Sequence, residues 1–163
     1  MRCCFVTETF LPEVNGVTLT LGKMVTGLQG RGFDVQVIRP SQSSDKTDEP
    51  SPIEGLDTVL VNGLPIPGYA DLKFGLPTMG IIYKSWERFK PDVVYVATEG
   101  PLGFSALRAA KRLGVPVISG FHTNFHTYMQ HYHIGFVESI VFWWLRYFHN
   151  KTQATLTPTP QIK

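Results

Sequence analysis

The sequence has few charges and few cysteines, and it lacks a long apolar run. Charged residues make up 17% of its 163 residues and the net charge is only +2, which argues against nucleic acid as a partner. Cys3 and Cys4 are adjacent, so they point to opposite sides of a strand and neither pair nor chelate. The longest apolar run, residues 140–145, is too short to span a bilayer. We therefore expect a cytoplasmic protein that can attach peripherally to the inner face of a membrane.

Apolar strands and amphipathic helices alternate along the chain. The pattern predicts strands at residues 2–6, 33–38, 56–61, 91–97, from 115 or 116 to 120, and at 154–156, and helices near 17–29, 79–89, 101–113 and 136–151. Residues 63–77 contain three prolines and three glycines, which favours a long loop. This alternation is typical of the α/β class, with a Rossmann-like, doubly wound parallel sheet.

Three segments that follow predicted strands carry polar residues. They are residues 7–16, which end in Asn15 and Gly16, residues 98–101 with Thr98 and Glu99, and residues 121–128 after the strand that ends at Gly120. The carboxyl ends of parallel strands share one edge of the sheet, and ligands bind there. We therefore expect these segments to converge on a ligand, although the pattern of Asn15–Gly16 alone is more typical of an ordinary tight turn.

Histidines are concentrated in the third of these segments. His122 and His126 are four residues apart, with His131 and His133 nearby, yet no cysteine is close and no glutamate stands between the first pair as in a helical zinc motif. We expect no metal. His122 remains a candidate ligand contact, although a lone histidine after a strand is more often a structural hydrogen-bonding group.

The last predicted helix carries two apolar stripes. Its core face is expected to comprise Val137, Ile140, Val141, Trp144, Leu145 and Phe148. The opposite side presents Phe142, Trp143, Arg146 and Tyr147, and exposed aromatics beside arginine suit a membrane interface or a partner surface. The alternative is that another loop of the same domain covers them.

Three segments together resemble a known family. Residues 8–17 (ETFLPEVNGV), 91–103 (PDVVYVATEGPLG) and 120–125 (GFHTNF) resemble the N-terminal half of retaining glycosyltransferases of family four. Within that family the chain is similar to bacterial α-mannosyltransferases and to sulfoquinovosyl- or glucosyl-diacylglycerol synthase-like enzymes. The resemblance extends over nearly the whole chain, with the three motifs in the family's order and spacing.

The resemblance implies a GT-B architecture, in which two Rossmann-like domains face each other across a cleft. Residues 1–157 would be the acceptor-side domain, and 158–163 the start of a linker to a missing C-terminal donor-binding domain. The implied reaction moves a hexosyl group, with mannosyl from GDP-mannose as the first choice, to a lipid or glycan acceptor with retained anomeric configuration. It implies no cofactor beyond the nucleotide-sugar substrate and no nucleic acid partner. The fragment alone is expected to be inactive.

The resemblance also implies site residues. His122 matches the family's active-site histidine near the transferred sugar, and Asn15–Gly16 match the loop near the donor diphosphate and the acceptor. Many members have two glycines at that loop, and this chain has asparagine in the first position. The acceptor pocket would include Thr98, Glu99, Thr123 and Asn124.

Two other functions fit the same fold. A non-catalytic module could present a ligand site or an interaction surface, and a sugar-nucleotide epimerase could use a related fold with different acidic residues in its other half. The coding sequence downstream of Lys163 discriminates among these hypotheses, because a donor domain with the family's basic and acidic motifs would favour the transferase.

Overall fold

The structure is a computed structural model that describes residues 1–42, 45, 53–66, 69–122 and 135–157. Strands and helices alternate along most of this part of the chain. In chain order the elements are β1 (Arg2–Val6), α1 (Gly16–Gln29), β2 (Asp34–Pro40), β3 (Asp57–Val61), β4 (Gly63–Ile66), β5 (Tyr69–Gly75), α2 (Met79–Phe89), β6 (Val93–Val96), α3 (Pro101–Leu113), β7 (Val117–Gly120), α4 (Gly135–His149) and β8 (Ala154–Leu156).

Six strands form one parallel sheet in the order β3-β2-β1-β6-β7-β8. The chain first builds outward from β1 to β3 and then returns to the other side of β1 with β6. The strand order therefore reverses between β1 and β6, and in open α/β sheets the crevice outside such a reversal is where ligands bind. This confirms the predicted Rossmann-like parallel sheet.

Apolar residues are buried on both faces of the sheet. On one face Leu21 and Val25 of α1 pack with Cys3 of β1. On the other face the helices α2, α3 and α4 pack against a cluster that contains Cys4 and Trp86. The two adjacent cysteines therefore point to opposite sides, as predicted, and burial raises the pKa of both thiols.

Local signals in the sequence explain where the helices begin and end. The side chain of Asn15 caps α1 by accepting a hydrogen bond from the Thr18 backbone N–H at 2.9 Å. Pro101 opens α3, where its missing N–H costs nothing. Gly114 closes α3 with a φ of 69°, a left-handed conformation that suits glycine.

The prediction of a long loop at residues 63–77 was wrong. The strands β4 and β5 form an antiparallel hairpin in which Gly63 pairs with Gly75 and Leu64 with Phe74. Proline and glycine weaken a strand signal in the sequence, but a two-stranded ribbon leaves edge positions where neither breaks an essential hydrogen bond. The hairpin matters for the site because Gly75 ends it beside α3 and β1.

The last helix also differs in part from its prediction. It begins at Gly135 and ends at His149, and Leu145 and Phe148 are buried as expected. Ile140, predicted on the core face, is 48% exposed, because the buried contacts of α4 lie in its C-terminal half. The side chain of Val137, from the same prediction, lies outside the described residues.

Candidate functional site

The carboxyl edge of the sheet brings together the segments that follow β1, β6 and β7. The backbone N–H of Glu8, after β1, donates to the hydroxyl of Thr98, after β6, at 2.9 Å. This bond spans the point where the strand order reverses. The Thr98 side chain, predicted to border an acceptor pocket, therefore holds the two segments together at the expected edge.

Glu8 has a buried carboxylate that joins three elements. Its Oε1 accepts from the Leu102 N–H at 3.1 Å, in the first turn of α3, and its Oε2 accepts a short hydrogen bond from the Gly75 N–H at the end of β5. Gly100 leaves the space the carboxylate needs, since a Cβ there would lie 2.2 Å from Oε1. Burial raises the pKa of Glu8 from 4.5 to about 7, although the two N–H donors lower it.

His122 is half-buried and is held by Tyr95 of β6. The Tyr95 hydroxyl and His122 Nε2 are 2.7 Å apart, and either can be the donor, depending on the tautomer of the histidine. Burial lowers the pKa of His122, against an opposing effect of the Glu99 charge, and raises the pKa of Tyr95 to about 12. At neutral pH the structure therefore presents an uncharged imidazole bonded to a protonated phenol.

A glycine makes the contact between Tyr95 and His122 possible. A Cβ at Gly120, the last residue of β7, would lie 2.0 Å from the Tyr95 hydroxyl and 2.5 Å from His122 Nε2. These separations are far below van der Waals contact. The glycine that precedes His122 by two residues is thus a steric requirement of the site.

Glu99 lies at the centre of a hydrogen-bond network that ties α4 to the sheet. Its Oε1 is 3.1 Å from His149 Nε2, and His149 Nδ1 is 2.8 Å from the hydroxyl of Ser119 in β7. A carboxylate only accepts, so Nε2 donates to it, and in the neutral imidazole Nδ1 then accepts from the serine hydroxyl. The Glu99 backbone oxygen accepts from Trp144 Nε1 at 2.9 Å. Ser119 is fully buried, which leaves its hydroxyl inaccessible as a nucleophile.

Asn15 and Gly16 have different roles. The Asn15 side chain caps α1 and also donates from Nδ2 to the Thr9 hydroxyl at 2.7 Å, so it is fixed by the protein. Gly16 is exposed, and no described atom outside its immediate neighbourhood lies within 4 Å of the position a Cβ would take. Packing among the described residues therefore does not require glycine here, and those residues leave the space beside Gly16 open.

A largely apolar cavity adjoins Glu99. It has a volume of about 570 Å³ and lies between the start of α2 and the outer sides of α3 and α4; we call it the α2–α3–α4 cavity. Its lining comprises Pro77, Met79, Glu99, Pro101, Phe104, Ser105, Arg108 and Trp144. Of the two carboxylate oxygens of Glu99, Oε1 has a hydrogen-bond partner among the described residues and Oε2 has none. Oε2 can therefore accept a hydrogen bond from a ligand.

The four predicted surface residues of α4 are exposed. The exposed fractions of Phe142, Trp143 and Tyr147 are 45%, 62% and 37%, and Arg146 is also exposed. The rings of Trp143 and Tyr147 stack with centroids 5.4 Å apart. On its other side the ring of Tyr147 contacts Phe104 of α3, with centroids 6.3 Å apart. Among the helices that the structure describes, none is long and apolar enough to cross a membrane.

Several predicted positions fall outside the described residues. They are Thr123 and Asn124 of the predicted acceptor pocket, His126, His131 and His133, and the predicted linker at 158–163. Within the described ranges, no three His, Cys, Asp or Glu side chains cluster as a metal site would require.

The sequence did not point to Glu8, Tyr95 or His149. Glu8 lies in one of the motifs, but nothing in a linear sequence shows that a carboxylate after a strand is buried. Tyr95 lies inside an apolar strand, where it resembles a core residue. His149 in the last turn of a helix resembles a favourable partner of the helix dipole, and only the fold reveals its contact with Glu99.

Comparison with known proteins places this chain among sugar-transferring proteins. Residues 14–163 match the sequence profile of Glycosyltransferase Family 4. The chain is 31% identical over 162 residues to a GDP-mannose-dependent alpha-mannosyltransferase of Mycolicibacterium smegmatis, covering 98% of this chain and 42% of that protein. It is 27% identical to the sulfoquinovosyl transferase SQD2 of Arabidopsis thaliana, covering 97% of this chain and 30% of the relative. The chain thus spans well under half the length of these curated relatives.

Solved structures share the fold at low sequence identity. The chain is similar to the UDP-GlcNAc 2-epimerase of Methanocaldococcus jannaschii with a TM-score of 0.59 and 15% identity, covering 98% of this chain and 40% of that one. It is also similar to MurG of Acinetobacter baumannii, with a TM-score of 0.51 and 15% identity over 73% of this chain and 34% of that one. At this identity the likeness concerns the fold and does not distinguish a transferase from an epimerase.

Proposed function

The chain belongs to glycosyltransferase family 4, and we propose that it forms the acceptor-side half of an enzyme that transfers a hexosyl group from a nucleotide-diphosphate sugar. We take mannosyl from GDP-mannose as the donor group, because three relatives named GDP-mannose-dependent alpha-mannosyltransferase are 30–31% identical to it. A lipid or glycan is the proposed acceptor, in line with relatives named monoglucosyldiacylglycerol synthase.

The observation that carries this proposal is the neutral His122 beside Glu99 at the carboxyl edge of the sheet. Glycosyl transfer passes through an oxocarbenium-like transition state, which develops positive charge on the sugar. A cationic imidazole would oppose that charge, whereas burial lowers the pKa of His122 and so favours the neutral form. The nearby Glu99 charge acts in the favourable direction, as a preorganised electrostatic group.

The start of α1 is the proposed contact for the donor diphosphate. Helix N-termini present free N–H groups and the positive end of the helix dipole, which favour anions. Gly16 begins α1 and is exposed, so phosphate oxygens can approach its backbone closely. Asn15 would act indirectly here, since its side chain fixes the cap and does not point freely into the cleft.

The α2–α3–α4 cavity is the proposed place of the acceptor. Glu99 offers an acceptor oxygen for a sugar or glycerol hydroxyl, and Met79, Phe104 and Trp144 offer an apolar wall for the remainder of a glycolipid. Thr98 would support this pocket by holding the segment after β6 in place. We further propose that the reaction retains the anomeric configuration and that the protein acts in the cytoplasm.

The test is mannosyl transfer by the full-length protein that contains this chain. His122→Ala should reduce kcat with GDP-mannose by at least about 100-fold, in the range of a positioned electrostatic group, while the far-UV circular dichroism stays unchanged. In the same assay Gly16→Ala should raise the KM for GDP-mannose, because the new Cβ occupies the space in front of the helix start.

Tyr95→Phe is the matched control for His122→Ala. It removes the same 2.7 Å hydrogen bond but leaves the imidazole in the site. If His122 contacts the reacting sugar, Tyr95→Phe should retain far more activity than His122→Ala. Equal activities of the two variants would mean that the histidine serves only to hold the strand ends together. Comparing UDP-sugars with GDP-mannose in the wild type tests the choice of donor.

A further inference from the structure

Glu8 takes no part in the proposed reaction, although it lies at the carboxyl edge of the sheet and is only 9% exposed. Its two oxygens accept hydrogen bonds from two different elements, the N–H of Gly75 at the end of β5 and the N–H of Leu102 in α3. We call this arrangement the Glu8 bridge. A Cβ at Gly75 would lie 2.9 Å from Oε2, and one at Gly100 would lie 2.2 Å from Oε1. The backbone on both sides therefore packs directly against the carboxylate.

The Glu8 bridge joins two parts of the lining of the α2–α3–α4 cavity. One part begins at Pro77, two residues after Gly75, and leads into α2. Another begins at Pro101, the residue before Leu102. Gly75 also packs closely on Leu102, since a Cβ at Gly75 would lie 2.8 Å from the Cβ of that leucine. The relative position of the two parts of the lining therefore depends on the bonds that Glu8 accepts.

The chemistry of the Glu8 bridge calls for an ionised carboxylate. Both partners are N–H donors, and a carboxylate can accept through both of its oxygens. An amide has only one acceptor oxygen, and a protonated carboxyl group has an O–H that donates. The bridge also caps α3, because the N-cap residue Gly100 makes no side-chain cap bond and Glu8 supplies the acceptor for the Leu102 N–H. A neutral side chain would weaken one of these two attachments.

Ionisation of Glu8 is unfavourable for the stability of the fold. Burial raises its pKa to about 7, and no described residue forms an ion pair with it. Charged groups on the neighbouring elements are engaged elsewhere: Lys73 of β5 donates to the backbone oxygen of Ser41, Glu99 after β6 accepts from α4, and Arg108 of α3 lines the cavity. A buried group that lowers stability when ionised, and that borders a cavity, is typical of a functional site.

We propose that Glu8 is a positioning residue for the acceptor, whose ionised carboxylate holds the end of β5 and the start of α3 in the arrangement that shapes the α2–α3–α4 cavity. The acceptor then meets a lining that is already ordered, which favours its binding. This role rests on the proposed function, in that the cavity is taken as the place of the acceptor. No described bond joins Glu8 to Asn15 or Gly16, so donor binding should not depend on it.

The test uses the full-length protein that contains this chain, at pH 8, where Glu8 is mostly ionised. The acceptor probe is n-octyl glucoside below its micellar concentration, because its hydroxyls and alkyl tail match a polar and apolar lining. Glu8→Gln should weaken the saturable binding of this probe, measured by calorimetry, about 10-fold, the effect of one lost hydrogen bond to a charged group. The KM for the probe in mannosyl transfer should rise by the same factor, while kcat and the KM for GDP-mannose stay unchanged.

Two further measurements separate positioning from a purely structural role. The urea midpoint of Glu8→Gln at pH 8 should be no lower than that of the wild type, because the variant lacks the buried charge. At pH 6 the wild-type carboxyl group is mostly protonated, so the affinity of the wild type for the probe should fall towards that of the variant. Groups that titrate in both proteins, such as His149, affect both equally and cancel in this comparison.

The matched control is Asp57→Asn at the opposite edge of the sheet. Asp57 begins β3, and its Oδ2 accepts from Nε2 of the buried Gln36 at 2.5 Å, so the substitution also changes a hydrogen-bonded carboxylate to an amide. The control should bind the probe as the wild type does. The role of Glu8 is overturned if Glu8→Gln binds the probe like the control, if the wild type shows no saturable binding, or if Glu8→Gln has the lower urea midpoint at pH 8.

The two proposals fail in different ways. Hydrolysis of GDP-mannose by the wild type without an acceptor measures the proposed function. If the wild type lacks hydrolysis but binds octyl glucoside more tightly than Glu8→Gln, the enzymatic proposal is removed and Glu8 still shapes a glycoside site. If the wild type hydrolyses GDP-mannose but binds the probe no better than Glu8→Gln, the transferase remains and the role of Glu8 is overturned.

Discussion

At the scale of single residues, Glu8 lies where β1, β5 and α3 meet. Its carboxylate accepts two backbone hydrogen bonds and is buried, and burial outweighs the bonds, so that its pKa rises to about 7. A carboxyl group with a raised pKa in the folded state binds its proton more tightly there than in the unfolded chain. Its contribution to stability is therefore fully present below pH 4.5 and is lost as the pH rises through 7.

We expect this loss to be measurable with Glu8→Gln. Relative to that variant, the free energy of unfolding of the wild type should fall by about 3 kcal/mol between pH 4.5 and pH 7.5, the amount that corresponds to a pKa rise from 4.5 to about 7. Urea denaturation at intervals of half a pH unit measures it. Glu54→Gln, at an exposed position, is the matched control. Parallel curves for the wild type and Glu8→Gln would contradict the assignment.

The position of some of these residues at the sheet edge could be predicted from the sequence, whereas the burial of others could not. His122, Glu99 and Gly16 follow strands, and the order of strands and helices is enough to place them at one edge of the sheet. Burial of a charged group depends on which segments pack over it. Glu8 is covered by a hairpin whose residues looked like a loop, so neither its burial nor its raised pKa was predictable.

At the scale of elements, α4 is attached to the sheet by polar as well as apolar contacts. Trp144 donates to the Glu99 backbone and His149 bridges the Glu99 carboxylate and Ser119, while Phe148 is fully buried. The same helix carries the exposed aromatic surface on its other side. Glu99 is thus linked, through one helix, to that exposed aromatic surface.

His149→Ala should loosen this attachment. It removes the hydrogen-bond donor that the carboxylate of Glu99 has among the described residues, and Glu99 is only 8% exposed. An unsatisfied buried group of this kind costs about 2 kcal/mol. Urea denaturation at pH 7 should show a loss of stability of that size relative to the wild type. Amide hydrogen exchange should be accelerated by the substitution in α4 and much less in α3. Asn150→Ala, at the exposed neighbouring position, is the control. Unchanged stability would mean that the apolar contacts of Phe148 suffice.

The periodicity of α4 predicted its existence, and its limits were close to those observed. It also predicted that Phe142, Trp143, Arg146 and Tyr147 share an exposed side. It was wrong about Ile140, because periodicity defines a stripe along the whole helix whereas the sheet covers only part of its length. Hairpin β4–β5 was missed because two short strands rich in proline and glycine give no alternating signal.

At the scale of the whole molecule, the described residues form one six-stranded parallel sheet that is covered on both faces, with the hairpin β4–β5 beside it. The reversal of strand order between β1 and β6 places Thr98, Glu99 and the start of α1 at the carboxyl edge of the sheet. The alternation of elements along the sequence was sufficient to predict this arrangement, because parallel strands joined by helices have few alternatives.

We expect the 163-residue chain to fold by itself but to lack turnover. One continuous sheet with buried residues on both faces favours a single cooperative transition, so circular dichroism and tryptophan fluorescence should give the same urea midpoint. GDP release from GDP-mannose should be undetectable with this chain and present with the full-length protein. Turnover by the chain alone would refute its assignment as half of a site.

The tight space around Gly120 has a consequence for how the family's sequences can vary. A methyl group at this position would overlap both the Tyr95 hydroxyl and the His122 ring. Positions 95, 120 and 122 are therefore constrained together: a homologue with alanine at 120 should carry smaller residues than tyrosine at 95 and histidine at 122. In an alignment of homologues, correlated changes at these positions would indicate the contact between the two neighbouring strands.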